Sequence, residues 1–128
     1  MNIVNKYKTI RTDLRPYQIT LMVTNDCNLK CKYCYVKKER QYMTFPIAQK
    51  AIDSAYEKLL NLRKEFPDTD FIQNRTGYIY FFGGEPLLNY KLIKQVIEYT
   101  DTTYSQEFQY GLVTNGLLLT KEMCEFFQ

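Results

Sequence analysis

The sequence predicts an α/β fold with a parallel sheet, and two features of its pattern support that prediction. Three short apolar runs alternate with longer stretches in which apolar residues recur at helical spacing. The middle run, residues 78–82, lacks polar alternation, which is typical of a strand buried on both faces. Because strands that alternate with helices form parallel sheets with right-handed crossovers, we expect about three βα units.

The first unit is predicted to be a strand followed by a long helix. Residues 18–24 are rich in apolar and β-branched side chains and end at residues 25–26, Asn-Asp, a turn signal. Thr44 is a suitable helix N-cap, with Pro46 in the first turn. Pro67 ends the helix. The residues expected on its apolar face are Ala48, Ala51, Ile52, Ala55, Leu59 and Leu62.

Two further units follow the same pattern. Residues 78–82 form the second strand, bounded by glycines on both sides, and a helix begins at about Asn89. The third strand runs from about Phe108 to Thr114, and another helix begins near Thr120. The inward-facing residues expected in the helix after the second strand are Ile93, Val96 and Ile97.

An unusual segment follows each of the three predicted strands. The first is a loop with three cysteines, the second is Gly-Gly-Glu-Pro at residues 83–86, and the third is Thr-Asn-Gly at residues 114–116. The carboxyl ends of parallel strands lie along one edge of the sheet, and ligands of α/β folds bind at that edge. We therefore expect the three segments to form one site.

Composition limits the classes of function. The chain has 128 residues, 45% hydrophobic and 24% charged, as expected of a folded domain, and its net charge of +3 is too small to indicate a nucleic-acid-binding protein. No apolar stretch approaches the ~18 residues that span a bilayer, and residues 1–6 lack the apolar segment of a secretory signal. We expect a cytoplasmic protein with neither a membrane nor a nucleic-acid partner.

The absence of histidine excludes further classes. Without it, neither Ser-His-Asp nor Cys-His catalysis is available within this chain, and zinc sites with histidine ligands are excluded too. In the cytosol, the four cysteines are expected to be metal ligands or reactive thiols instead of disulfides.

The cysteine loop is the strongest chemical signal. Cys27, Cys31 and Cys34 have the spacing C-x3-C-x2-C, and thiolates this close in sequence can bind one soft metal centre. The alternatives are three ordinary buried cysteines, a zinc site with Cys124 as fourth ligand, or an iron–sulfur cluster. A 4Fe–4S cluster with three ligands would keep an open iron, the mark of a catalytic metal. Cys124 itself is expected to be a small buried helix residue.

These motifs resemble those of the radical S-adenosylmethionine (radical SAM) superfamily. Its hallmark is C-x3-C-x-aromatic-C, and here Tyr33 supplies the aromatic residue before the third cysteine. The segments at residues 83–86 and 114–116 match the family's GGEP motif and a Thr-Asn-Gly that recurs in many members. The resemblance covers residues 19–119 and implies a partial parallel (βα) barrel, about the first three βα units of a radical SAM core.

The resemblance implies a mechanism and residue roles. The three cysteines would hold a 4Fe–4S cluster, SAM would chelate the open iron, and reductive cleavage would give methionine and a 5′-deoxyadenosyl radical. Gly83 and Gly84 would let the backbone approach the methionyl part of SAM, and Glu85 would accept a hydrogen bond from its amino group. Tyr33 would lie beside the adenine, and Asn115 would present a polar group near the cofactor.

Partners and extent follow from the same resemblance. A complete core has about twice as many βα units, so we expect residues 1–128 to be its amino-terminal half, with an open barrel edge prone to self-association. Basic residues around the cysteines form a solvated face that would also steer an acidic electron donor such as flavodoxin or ferredoxin. They are Lys30, Lys32, Lys37, Lys38 and Arg40.

Local likeness is greatest to SPASM-type maturases, so a peptide or protein is the expected substrate. Molybdenum-cofactor-type cyclases share similar motifs and remain an alternative. From other classes, the alternatives are a zinc- or cluster-binding interaction module that uses Cys124 and has no chemistry of its own, or a degenerate chain that binds nothing.

Overall fold

The computed structural model describes residues 18–128 and contains a three-stranded sheet, in the order β1-β2-β3. Both strand pairs are parallel, and Phe81 in the central strand lies opposite Leu21 on one side and Leu112 on the other. The predicted α/β fold is therefore confirmed as a partial (βα) barrel. The strands are β1 Gln18–Thr24, β2 Gly77–Gly83 and β3 Phe108–Leu112. Residues 1–6, in which a secretory signal was sought, and Pro16, which precedes the first predicted strand, lie outside the described residues.

Helices follow each strand, as predicted. A short helix after the first long one and a 3-10 helix after β2 were not expected from the sequence. None of the helices within residues 18–128 is long and apolar enough to cross a membrane. The helices are α1 Phe45–Glu65, α2 Asp70–Gln73, α3 Tyr90–Tyr104 and α4 Lys121–Phe126, and the 3-10 helix is Pro86–Asn89.

Sequence signals account for the ends of α1 and α4. Thr44 is the N-cap of α1 in extended conformation, although its side chain makes no capping hydrogen bond, and Pro46 occupies the first turn. The predicted apolar face of α1 is buried except for Ala51, which is half-buried. Thr120 caps α4 by accepting a hydrogen bond from the Met123 N–H at 3.2 Å.

One hydrophobic cluster fills the space between the sheet and the two long helices. Because α1 and α3 both contribute to this cluster, they pack on the same face of the sheet. Beyond it, the end of α1 packs on α2 through Leu59, Leu62 and Ile72. The buried members of the main cluster are Leu21, Val23, Ala48, Ile52, Ile79, Phe81, Leu92, Ile93, Val96 and Phe108.

The opposite face of the sheet is open within residues 18–128. Along β2, residues that face the helices are buried, whereas Tyr78, Tyr80 and Phe82 are only half-buried. The prediction that β2 is buried on both faces is therefore wrong, because both long helices lie on one side of the sheet. The open face carries aromatic residues instead of polar ones, so the sequence of β2 shows no polar alternation. The Tyr78 and Tyr80 rings stack with centroids 4.5 Å apart.

The third strand is shorter than predicted. It ends at Leu112 instead of Thr114. The reason is that Thr114 and Asn115 turn away from the ladder and donate hydrogen bonds to the Glu85 carboxylate at the end of β2. The third segment is thus connected to the second by a side chain.

Candidate functional site

The three segments that follow the strands meet at the carboxyl edge of the sheet. The Glu85 N–H donates to the Asp26 carbonyl at 2.8 Å, which joins the second segment to the cysteine loop. The Asn115 side-chain amide donates to the Asn28 side-chain oxygen at 2.9 Å, across 87 residues of sequence. Together with the Glu85 bonds to the third segment, these contacts close a ring of three loops. The sequence predicted that the three segments lie at one edge of the sheet, and in the structure they are in contact there.

Glu85 is the most buried polar group of the site. Its side chain has 0% exposure, and its Oε1 accepts hydrogen bonds from the Leu87 N–H at 3.0 Å and the Thr114 hydroxyl at 2.7 Å. Its Oε2 accepts from the Asn115 N–H at 2.9 Å. Buried carboxylates need such donors because the charge has lost its water. Here the carboxylate joins the ends of β2 and β3, so its expected contact with SAM stays a prediction.

Gly83 and Gly84 fit closely against the start of the cysteine loop. A Cβ atom on Gly83 would lie 2.3 Å from the Thr24 carbonyl oxygen, and one on Gly84 would lie 2.2 Å from the Asp26 carbonyl oxygen. The Gly84 N–H donates to the Thr24 carbonyl at 2.9 Å. The two glycines are required by this approach of backbone to backbone. Their expected approach to the methionyl part of SAM remains a prediction.

A returning segment closes the base of the cysteine loop. The register of β1 shifts between Met22 and Thr24, and Thr24 then forms an antiparallel bridge with Tyr42. The Met43 N–H donates to the Val23 carbonyl at 2.9 Å. We call residues 23–25 and 41–43 the two stems of the loop. A bulge beside a site is a common way to redirect a strand end.

Side chains add further bonds between the stems. The Thr24 hydroxyl donates to the Gln41 carbonyl at 2.8 Å, and the Tyr42 hydroxyl donates to the Asp26 carboxylate at 2.8 Å. The hydrogen bond to Asp26 raises the pKa of Tyr42 above its usual value. Asn89, at the end of the 3-10 helix, donates to the backbone carbonyls of both stems.

The three cysteines of the loop carry free thiols. Cys27 and Cys31 are half-buried, Cys34 is exposed, and the Leu29 N–H points at the Cys27 sulfur at 3.3 Å. In the part of the chain that the structure describes, no three or more cysteine, aspartate or glutamate side chains converge closely enough to hold a metal ion. The donor set still fits a thiolate-bound cluster, since three accessible thiols lie within one loop and metal binding commonly completes such a site.

Other predicted residues lie around this loop or apart from it. Tyr33 is 90% exposed, and Asn115 is exposed at its contact with the loop. Cys124 is exposed on α4, so its expected burial is wrong. The reason is that the short helix α4 buries none of its residues. Cys124 lines a cleft with residues of β3 and α3, away from the cysteine loop.

A pocket of about 390 Å³ lies on the open face of the sheet beside the cysteine loop. Tyr35 of the loop forms one wall, and side chains of the sheet form the rest. None of its lining residues is charged. They are Gln18, Thr20, Met22, Tyr35, Tyr80, Phe82 and Val113.

Sequence analysis missed Gln41, Tyr42 and Asn89. Their hydrogen-bond partners in the loop base lie 16 to 66 residues away along the chain. No local pattern marks such pairs, because Gln41 and Tyr42 lie in a returning loop and Asn89 ends a short 3-10 helix, all common places for polar residues. The Gly-Gly-Glu-Pro motif three residues before Asn89 was the only neighbouring signal.

The family model of the radical SAM superfamily matches residues 21–128. The chain belongs to the radical SAM superfamily. The match begins within β1 and includes every later element and all three segments of the site. The predicted family is therefore confirmed.

Several curated relatives are similar to this radical SAM chain. An uncharacterized protein of Methanocaldococcus jannaschii is 38% identical over 109 residues, which cover 84% of this chain and 33% of the relative. The radical SAM cyclopropyl synthase TigE of Paramaledivibacter caminithermalis is 33% identical, covering 86% and 24%. An S-adenosylmethionine-dependent nucleotide dehydratase of a Fibrobacter species is 32% identical, covering 89% and 31%. The chain spans about a quarter to a third of the length of these relatives.

Proposed function

We propose that this chain is the cofactor-binding part of a radical SAM enzyme. Cys27, Cys31 and Cys34 would hold a 4Fe–4S cluster, and the segments after β2 and β3 would bind SAM beside it. The observation that carries the proposal is the ring of three loops at the carboxyl edge of the sheet, in a chain that belongs to this superfamily. One relative named as a radical SAM synthase and one named as an S-adenosylmethionine-dependent dehydratase support the same class of enzyme.

When bound, a reduced cluster supplies the electron that cleaves SAM to methionine and a 5′-deoxyadenosyl radical. The chain's own residues have two tasks in this proposal. The three thiolates would hold the cluster, and because the loop offers no fourth cysteine, one iron would be left available to SAM. The stems and the buried Glu85 orient the loop against the segments that follow β2 and β3.

For SAM, the candidate contacts are Tyr33, Gly83, Gly84, Glu85 and Asn115. Tyr33 is the most accessible of them, so its ring is available to stack on the adenine. Asn115 lies at the surface where the third segment meets the cysteine loop, which suits a polar contact with the cofactor. The carboxylate of Glu85 is enclosed, so it would act on SAM chiefly by fixing the neighbouring backbone.

An acidic electron donor, such as a flavodoxin or ferredoxin, is the proposed reductant partner. Lys30, Lys32, Lys37 and Arg40 are exposed around the three cysteines, and cations near a redox centre attract acidic partners. One of them is partly neutralised, since Lys37 pairs with Glu39 at 2.7 Å. The rate of reduction by such a donor should fall as salt is added, and a rate independent of salt would contradict this docking.

A peptide or protein is the proposed substrate. The uncharged pocket beside Tyr35, three of whose seven lining residues are aromatic, suits an apolar side chain, whereas a phosphate group would need cations. A molybdenum-cofactor-type cyclase remains the alternative, because the motifs of this chain are shared with that class. The related proteins include a cyclopropyl synthase and a nucleotide dehydratase, and these names describe different reactions, so they do not indicate one substrate class for this chain. A cytoplasmic location belongs to the same proposal.

The test is anaerobic reconstitution of the chain with iron and sulfide. Wild type should bind about four irons, and its reduced EPR spectrum should change when SAM is added. Single Cys→Ser changes at positions 27, 31 and 34 should abolish this, whereas Cys124→Ser is the matched control and should behave as wild type. Zinc binding that depends on Cys124 would instead support an interaction module. Binding of neither metal would support a degenerate chain.

A further inference from the structure

The base of the cysteine loop is held by one side chain from outside the loop. We propose that Asn89 is a positioning residue that fixes the two stems, and through them the spacing of the three cysteines. This inference rests on the proposed cluster site but concerns a residue that none of the family motifs contains.

Asn89 bonds to both stems at once. Its Nδ2 donates to the Val23 carbonyl at 2.9 Å and to the Met43 carbonyl at 3.2 Å. These carbonyls lie on the outgoing and returning stems, which are already paired by the Met43 N–H donating to the Val23 carbonyl at 2.9 Å. A carboxamide has two N–H hydrogens, so a single side chain satisfies both acceptors.

The position of Asn89 is itself well fixed. It is the last residue of the 3-10 helix Pro86–Asn89, which begins immediately after Glu85. The Leu88 N–H donates to the Glu85 carbonyl at 3.1 Å, and the Glu85 carboxylate accepts the Leu87 N–H at 3.0 Å. Glu85, which contacts the third segment, therefore caps the short helix whose last residue, Asn89, joins the stems.

The consequence for the cysteines follows from chain length. Cys27 is four residues beyond Val23, and Cys34 is nine residues before Met43. Stems that separate would widen the base of the loop and move its first and last thiols apart. The Val23 carbonyl would keep the Met43 N–H, but Val23 has 0% exposure, so water would not easily replace the second donor that Asn89 supplies. We therefore expect the stems to separate more often when a substitution removes the two N–H donors of the Asn89 side chain.

The most direct test is Asn89→Asp, which keeps the shape of the side chain but places a carboxylate against the two carbonyl oxygens of Val23 and Met43. Asn74→Asp is the matched control, because the Asn74 amide also donates to a backbone carbonyl, that of Asp70, but at α2. In the metal-free chain, Asn89→Asp should speed hydrogen exchange of the Met43 and Asn25 amides about tenfold, and Asn74→Asp should leave them unchanged. A tenfold change corresponds to about 1.4 kcal/mol.

In the reconstituted chain, Asn89→Asp should release iron to a chelator about tenfold faster than wild type and alter the EPR response to SAM. Asn89→His should recover most of the retention, because an imidazole N–H reaches nearly the same place and keeps one of the two bonds. If Asn89→Asp does not fold, amide exchange and iron release are measured on Asn89→His instead.

Unchanged amide exchange and iron retention in the variants would overturn this inference. If wild type takes up no cluster, the proposed function fails, and amide exchange alone still decides whether Asn89 joins the stems.

Discussion

At the scale of single residues, Glu85 carries an unusual share of the site's hydrogen bonding. Its carboxylate has no exposed surface and accepts three bonds from the chain itself. In Glu85→Gln, one of the two oxygens becomes an NH₂ group. That group must face either the Asn115 N–H or the Leu87 N–H, so two donors meet. We expect a loss of about 1–3 kcal/mol in unfolding free energy, measured by urea denaturation.

The control for this change is Glu98→Gln, on the exposed side of α3. It makes the same chemical substitution and should leave the denaturation midpoint within about 0.5 kcal/mol of wild type. Equal stability of Glu85→Gln and wild type would mean that the carboxylate is not needed to join β2 to β3.

The sequence marked Glu85, Gly83 and Gly84 as candidate SAM contacts, which stay predictions, but it did not give their contacts within the chain. The motif suggested an approach to a cofactor, whereas the structure has the glycines packed on the carbonyls of Thr24 and Asp26. A motif reports that a backbone needs room, because only glycine tolerates such an approach. It does not report which atoms fill that room, since these come from distant parts of the chain.

At the scale of elements, α1 and α3 are joined by a cluster of phenols around one carboxylate. The Tyr99 and Tyr104 hydroxyls both donate to the Asp53 Oδ1, at 2.7 and 2.5 Å. Burial, together with the hydrogen bond to Asp53, raises the pKa of Tyr104 well above its usual value of 10.0. The folded chain therefore keeps this phenol protonated at a pH where the unfolded chain ionises it.

The sign of the pH dependence follows. The contribution of the protonated Tyr104 phenol to the unfolding free energy is fully present below about pH 10. It is lost as the pH rises above that value, because the phenol then loses its proton in the unfolded chain before it does so in the folded chain. Tyr104→Phe should flatten the fall in unfolding free energy between roughly pH 9 and 11. Tyr33→Phe, on the exposed cysteine loop, is the control and should keep the wild-type slope in denaturant titrations at each pH. An unchanged slope in Tyr104→Phe would contradict the assignment.

Elements differed in how far the sequence could predict them. The ends of the strands and of α1 were predicted to within about two residues because their patterns repeat within a few positions, as in the apolar face from Ala48 to Leu62. The returning stem and the 3-10 helix were missed. Their bonds, such as that from Asn89 to Val23 over 66 residues, depend on the finished fold.

At the scale of the whole molecule, β1 and β3 are both edge strands, because the described sheet has the order β1-β2-β3. Apolar side chains are exposed near the free side of β3, where Val113 is 52% and Leu117 is 66% exposed. Open strand edges next to apolar surface are prone to pair with another chain. We therefore expect this 128-residue chain to self-associate, with a concentration-dependent sedimentation coefficient.

A charge near the β3 edge tests this expectation. Val113→Lys should weaken association about tenfold or more, because a buried valine contributes about 1.5–3 kcal/mol and a lysine resists strand pairing. Ile47→Lys is the matched control, since Ile47 is 58% exposed and lies on α1, beside Met22 of β1 instead of at the β3 edge. It should associate as wild type does in analytical ultracentrifugation. A wild-type chain that is monodisperse, monomeric and cooperative in thermal melts would contradict the predicted edge, because an uncovered half-barrel would then be stable by itself.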